Sequence, residues 1–375
     1  MKWNRFPAHI GPVSSFAPVS DRAIFPAGAL DRAIFDGEDF GGVAAEEPTA
    51  LLQGGWDDWR MLEEALARGS DGGLAGWFDY DGNFRFGDFP RWTSHADEKI
   101  SGAAPQRPQF SPGLNKDQWA DLVRRAHEYI AAGDIYQVNL THTFTAPWSA
   151  DPEQFYPRLR AASPAPYACF LRLGDTAVLS ASPECFLRID GRRIVTRPIK
   201  GTRPRGANDA AAADELRASA KERAELVMIT DLERNDLGQV CEYGSVHVAA
   251  LCELQTFAQV HHLVSTIEGR LRPDVTALQA LRACYPGGSI TGAPKKRARE
   301  IIAELEPVPR GIYTGAIGYF GRDGSAVFNI AIRTLVVRDG IATYGVGAGI
   351  VADSDPAAEY AETLHKAAGL FAAFP

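Results

Sequence analysis

The sequence predicts an α+β protein with large antiparallel sheets, and three observations predict it. Strand-like and helix-like segments come in blocks, without the regular βαβ alternation of a doubly wound sheet. Several apolar β-rich runs are joined by Asp-Gly pairs, the tight-turn signal of antiparallel hairpins. The 375 residues, 45% hydrophobic and 23% charged, are enough to bury a large core.

Taken in order, Gly76–Asp81 and the following Gly82 suggest a turn between strands. The Pro-rich, aperiodic stretch Ser101–Leu114 is the best linker candidate. It separates a weakly patterned N-terminal region, residues 1–105, from a catalytic region, residues 115–372. Lys116–Ala132 has amphipathic spacing, closed by Gly133 where a left-handed cap is favoured. A strand is expected over Ile135–Phe144, and Ala177–Ile189 with Arg192–Ile199 should form a hairpin about Asp190-Gly191. Ala211–Leu237 is helical in composition throughout. Ala293–Leu305 is a helix with Thr291 as its cap and Pro294 in its first turn. Ile312–Phe320, Ser325–Val337 and Ile341–Val351, split by Asp323-Gly324 and Asp339-Gly340, predict a three-stranded meander, and a helix follows over Pro356–Phe371.

Composition narrows the function classes. With 39 basic against 47 acidic residues, the chain has no electrostatic reason to seek nucleic acid or an anionic membrane. The N-terminus lacks a secretory core and no run is long enough to span a bilayer, so a cytoplasmic protein is expected. Five cysteines without a Cys-x-x-Cys pair argue for reduced, buried thiols.

Chemistry-bearing residues fall into three groups. Glu222 with Glu225, and Glu359 with Glu362, each stand three apart, so two helices present paired carboxylates suited to a hard cation such as Mg²⁺. The same spacing fits a solvated helix face, and both readings stand at this point. Gly287–Lys295 is a glycine-rich turn feeding a helix N-terminus, which favours an anion, and Gly345–Gly349 would let a ligand approach backbone. In Pro198-Ile-Lys-Gly-Thr202, Lys200 ends an apolar strand. Among other cations in a dry site, such an amine becomes an available nucleophile, whereas at a sheet edge it would snorkel.

The order of Gly133-Asp-Ile-Tyr-Gln-Val-Asn-Leu140, Ser182-Pro-Glu184, Pro198–Thr202, Asp231-Leu-Glu-Arg-Asn-Asp-Leu-Gly238, His261-His-Leu-Val-Ser265, Gly287–Lys295, Ala331-Ile-Arg-Thr334 and Gly347-Ala-Gly-Ile-Val351 resembles that of the chorismate-utilising enzymes, over about Asp117–Leu370. The resemblance implies helices packed outside the sheets and a Mg²⁺ site with Glu225 and Glu362 as direct ligands and Glu222 and Glu359 supporting them. It implies that Tyr313 and Arg333 hold the enolpyruvyl carboxylate, that Thr291, Gly292, Gly347 and Gly349 line the pocket, and that His262 lies beside the departing hydroxyl. Glu184 matches the general acid. Members that add water carry a lysine base where this chain has Gln137, which points to amination. Lys200, at a position where the 2-aminating members carry alanine, points to amination at C4 with Lys200 as covalent nucleophile.

No segment reads as a glutaminase, so ammonia is expected from a separate glutamine amidotransferase subunit. The rivals are the 2-aminating branch and a catalytically silent chorismate-binding regulatory module. One register conflict is visible: in a plain Asp190-Gly191 hairpin, Glu184 and Lys200 point to opposite faces. Sharing a site then requires a bulge, for which Pro183 is the candidate position.

Overall fold

The computed structural model describes residues 23–25, 28, 31–37, 40, 42–95 and 105–375. The N-terminal residues without a secretory core and residues 101–104 of the linker candidate lie outside the described residues. Among those described, two antiparallel sheets of eleven and ten strands carry the fold.

The first sheet runs in the spatial order Ala23–Phe25, Ala50–Gly54, Phe84–Phe89, Gly73–Phe78, Ala316–Gly321, Ala326–Ile330, Cys185–Asp190, Arg193–Arg197 and Val260–Arg270. Ile199–Pro204 continues along Val260–Arg270, and His247–Thr256 pairs with that same strand. The second sheet runs Gly292–Ala293, Gln137–Pro147, Ile341–Ile350, Thr334–Arg338, Thr176–Ser182, Tyr167–Leu173, Arg32–Phe35, Val43–Glu46 and Thr93–Ser94, with Ser111–Pro112 also on Gln137–Pro147. Residues 105–114 are thus laid against the second sheet through Ser111–Pro112.

Strand alternation decides how the layers stack. In Gly73–Phe78, Ala75 and Trp77 pack with Phe35, Leu171, Val178 and Val336 of the second sheet, while Leu74 and Phe78 pack with Trp59 and Leu62 of the helix Arg60–Leu66. On the second sheet, Phe170, Leu179, Val337 and Tyr344 instead meet Phe155 and Leu159 of Pro152–Ala162 and Leu370 of Pro356–Phe371. The result is a two-sheet sandwich with helices on both outer faces, as the sequence and its resemblance imply. All five cysteines are free and buried. No described helix is long and apolar enough to cross a membrane.

The expected Lys116 helix spans Lys116–Ala131, opened by an Asn115–Gln118 capping box and followed by Gly133 at φ 81°. The last helix spans Pro356–Phe371, as expected, with Asp355 capping it.

Four local expectations are corrected. Ala211–Leu237 is two helices, Asp209–Ala218 and Ala220–Gly238, because Ser219 turns extended and caps the second. Thr291 does not cap the next helix: Gly292–Ala293 forms a short strand on Gln137–Val138, and Lys295–Leu305 begins after an extended Pro294. The Ala177–Ile189 run breaks at Pro183, passing from the second sheet into the first. Ser325–Val337 breaks likewise into Ala326–Ile330 and Thr334–Arg338, which lie in different sheets, so there is no simple meander.

These two breaks lie side by side. The Ser182 hydroxyl donates to Ile330 O at 2.6 Å, and Ile330 N donates to Glu184 O at 3.1 Å. Both of these breaks carry a predicted site residue, Glu184 at one and Arg333 at the other.

Candidate active site

One bulge resolves the register conflict, and a second follows Lys200. Asp190 pairs with Arg193, leaving Gly191-Arg192 as the loop, and the register then shifts between Cys185 and Arg188. The irregularity lies within that strand and not at Pro183, which occupies the sheet change instead. The second shift separates Lys200, opposite Leu263, from Thr202, opposite His262. Gly201 sits between them at φ 70°, and a Cβ there would come within 2.6 Å of Leu216. Glycine is required both by the left-handed backbone and by the space.

Lys200, opposite Leu263 just before this second bulge, reaches inward. Its Nζ lies 3.5 Å from Ser289 O and 3.8 Å from where a Gly349 side chain would begin. The expectation that other cations surround it is corrected: the groups that feel its charge are the carboxylates of Glu184, Glu225 and Glu362. Lys295, the cation of the glycine-rich turn, points away, paired with Asp236 and donating to Cys284 O at 2.9 Å.

Glu184 is 4% exposed and its Oε1 has no partner. Burial pushes its carboxyl up to about 7, against the Ser289 hydroxyl and the Lys200 ammonium, which pull it down. A carboxyl protonated near neutral pH is a general acid in waiting.

His262 is buried, with Nδ1 3.0 Å from Gly201 O and 3.1 Å from Thr202 Oγ1. Burial, helped by the Arg333 charge, lowers it to about 4, so it is neutral at pH 7. The carbonyl partner assigns the proton to Nδ1 and leaves Nε2 as an acceptor with no partner. Arg333, at φ 50°, has no ion pair among the described residues, and burial works against its charge. A dry guanidinium without a carboxylate is matched to an anion.

The glycines fix the opposite wall. A Cβ on Gly345 would land inside the Tyr313 ring, one on Gly347 would come 2.6 Å from Leu140 O, and one on Gly349 would overlap the Gln137 amide. Gln137 is 1% exposed with Oε1 unpartnered. Gly292, at φ 139°, lies flat against the Gln137 main chain. Thr291 braces its own loop, its hydroxyl 3.0 Å from Gly287 O and 3.1 Å from Gly288 O.

The four glutamates come from Ala220–Gly238 and Pro356–Phe371. Burial raises the Glu225 carboxyl, opposed by Lys200 and reinforced by Glu222 and Glu362. Burial alone would raise Glu362, but the Lys366 ammonium at 2.7 Å, with Lys200, leaves it below its ordinary value. Glu359 is 7% exposed and accepts from Ser354 Oγ at 2.7 Å. Glu222 lies 3.8 Å from Arg203. The two helices therefore bring Glu225 and Glu362 within range of each other and of Lys200. No three acid, His or Cys side chains among the described residues already form a metal cage.

Two contributors went unread in the sequence, and a third, Ser289, stood without a role inside the Gly287–Lys295 turn. Ser289 is buried beside Glu184, whose carboxyl its hydroxyl pulls down. Lys366 ties Glu362 to Gly347 O, the latter at 2.8 Å. Arg310 holds Ile290 O, Asn139 O and the Glu306 carboxylate, fastening three pocket segments together. Glu233, within Asp231–Gly238, left a similar trace: an acid spaced three from Asp236 in the helix that carries Glu225.

Residues 87–372 match the family of chorismate binding enzymes, and the chain belongs to that family. Among its curated relatives are anthranilate synthase component 1 of Streptomyces coelicolor, 50% identical over 70% of this chain and 52% of the relative, and aminodeoxychorismate synthase of Streptomyces pristinaespiralis, 47% identical over 76% of this chain and 42% of the relative. The chain spans about half the length of the curated relatives it matches. A solved anthranilate synthase component I from Streptococcus pneumoniae superposes with a TM-score of 0.74 at 28% identity, covering 98% of this chain and 95% of that one. A Bacillus anthracis isochorismate synthase shares the fold, with a TM-score of 0.79 at 20% identity over 92% of this chain and 96% of that one.

Proposed function

We propose that the chain converts chorismate and ammonia to 4-amino-4-deoxychorismate. The observation that carries this reading is Lys200, reaching inward beside buried, protonatable Glu184. The Lys200 amine forms a bond to C2 while the C4–O bond breaks, and the hydroxyl takes the Glu184 proton and leaves as water. Ammonia then bonds to C4, the C2–N bond breaks and Lys200 is regenerated. Dividing the substitution this way replaces one difficult step with two easier ones.

Arg333 and Tyr313 orient the enolpyruvyl carboxylate, Thr291, Gly292, Gly347, Gly349 and Gln137 shape the pocket, and His262 accepts from the C4 hydroxyl before it leaves. Glu225 and Glu362, backed by Glu222 and Glu359, are oxygen donors that fit Mg²⁺. When bound, the ion neutralises the ring carboxylate of the substrate. Ammonia is supplied by a separate glutamine amidotransferase, and the protein works in the cytoplasm.

The relatives named anthranilate synthase support a second reading, amination at C2. Incubation with chorismate, Mg²⁺ and ammonium, followed by separation of products, decides between them. A 4-amino product that retains the enolpyruvyl group is expected, and direct release of anthranilate overturns the proposal.

A further inference from the structure

Glu184 is sealed from water, so once it gives up its proton something must restore it. The Ala220–Gly238 helix holds a second sealed acid, Glu233, 5% exposed, which accepts from Thr196 Oγ1 at 2.7 Å. The loop between them touches both. A side chain on Gly288 would come 3.4 Å from Glu233 Cγ, and the next residue, Ser289, is the hydroxyl that acts on Glu184.

One helical turn beyond Glu233 is Asp236, paired with Lys295. These two line an open cleft of about 700 Å³ with Leu232, Asn235, Gln239 and Lys296. A line of proton-carrying groups thus runs from the dry site to an open cleft lined by Asp236 and Lys295.

We propose that Glu233, Asp236 and Lys295 form a relay that returns a proton from solvent to Glu184 after each turnover. The inference rests on the proposed role of Glu184 as general acid. Electrostatics make Glu233 the holder of the reserve proton. Burial raises Glu233 to about 8, and its next largest influence is the Glu184 charge, followed by the opposing Thr196 bond, Asp236 and Lys295. Cys284 also lies beside these residues, its thiol pushed up out of the working range by burial, and Tyr80, Asp81, Lys296, Arg299 and Glu300 share the cleft. Losing the Glu184 proton therefore leaves Glu233 as the protonated neighbour.

The bookkeeping closes. Glu184 gives its proton to the departing hydroxyl, which leaves as water, and the Glu184 carboxylate takes the Glu233 proton. Glu233 is refilled through Asp236 from Lys295, which takes a proton from water in the cleft. Ammonia enters as NH₃ and the product amine leaves as an ammonium, so one proton enters per turnover.

The test is rapid-quench kinetics of the whole chain with chorismate, Mg²⁺ and ammonium. For Glu233→Gln, a burst of about one product per enzyme is expected, then a steady state about tenfold or more below the parent, the usual scale of proton-transfer catalysis. Glu184→Gln should lose the burst itself. Small acids such as imidazolium should restore steady-state turnover in Glu233→Ala, a rescue that a purely structural defect does not show. Should Glu233→Gln fail to fold, Asp236→Asn is expected to give the same burst followed by slow turnover.

Burst and steady state falling in parallel without rescue, or both staying at parental levels, overturns the relay. A parent chain without turnover sinks the proposed function and the relay with it, whereas an active parent with an unaltered Glu233→Gln sinks the relay alone.

Discussion

The two halves of the candidate site are built on opposite principles. On the sheet side, Glu184, Gln137 and His262 are buried polar groups with atoms that have no protein partner, positioned by the Gly201 bulge and by the changes of sheet at Ser182–Cys185 and Ile330–Thr334. On the helix side, Glu222 and Glu362 sit in ion pairs and Glu359 in a hydrogen bond, all partly wet except Glu359. A buried group without a partner is costly unless a ligand supplies one. The sheet half is therefore already shaped for its ligand, whereas the helix half is acid gathered on two separate elements that a cation would draw together.

The largest break in the comparison should come from the dry half. Glu184→Gln is expected to lower kcat about 10²- to 10⁴-fold. In the parent, the rate should fall as pH rises through about 7, because ionised Glu184 has no proton to give; a log-rate profile flat across that range contradicts the assignment. Arg333→Ala should raise the KM for chorismate about 10- to 100-fold, and Arg333→Lys should recover little of it, since a point charge cannot make the bidentate pairing. Steady-state titration of both variants checks this.

In the wet half, Glu362→Gln should raise the Mg²⁺ concentration needed for chorismate binding about tenfold, and Glu359→Gln by less, as befits an outer group. Isothermal titration across a magnesium series distinguishes them, and equal effects would show that the two halves are not organised differently.

The dry acids should also set the pH dependence of stability. Glu184 and Glu233 have folded pKa values of about 7 and about 8, above the ordinary carboxyl value. Between the two values the native state holds protons that the unfolded chain has released, so stability falls as pH rises from about 4.5 to about 8. Denaturant melts of Glu233→Gln should show a shallower decline over that window.

The smallest expected effect concerns the glycine wall. Gly345→Ala drives a methyl group into the Tyr313 ring and should cost about 1 to 3 kcal/mol of stability, as overpacking does, with a weaker hold on chorismate.

The fold class was legible because alternation and Asp-Gly turns are local signals. The Pro356–Phe371 helix was legible for the same reason: it has an Asp cap, Pro at its start and an apolar stripe. What escaped was the change of sheet at Pro183 and Arg333, because an apolar run reads the same whether it stays in one sheet or crosses to another. Ser219 hid in helical composition, since a cap differs from an interior serine only in backbone geometry.

The candidate site followed the same division. Motif order found Glu184, Lys200 and Arg333, a spacing of three on two helices offered the four glutamates, and the parity of the hairpin showed that a bulge had to exist. Its location, between Cys185 and Arg188, lies in strand pairing that no spacing reveals. Arg310 acts through long-range contacts to main chain, so nothing in its neighbours announced it, whereas Ser289 stood in a marked turn whose closeness to Glu184 only the fold reveals.

The inward-facing amine of Lys200 is tested most directly by intact-protein mass spectrometry with chorismate and Mg²⁺, before ammonium is added. The account predicts a mass gain equal to chorismate less one water, mapped to Lys200, absent from Lys200→Ala and discharged by ammonium. Full amination activity in Lys200→Ala, with no adduct on the parent, would contradict it.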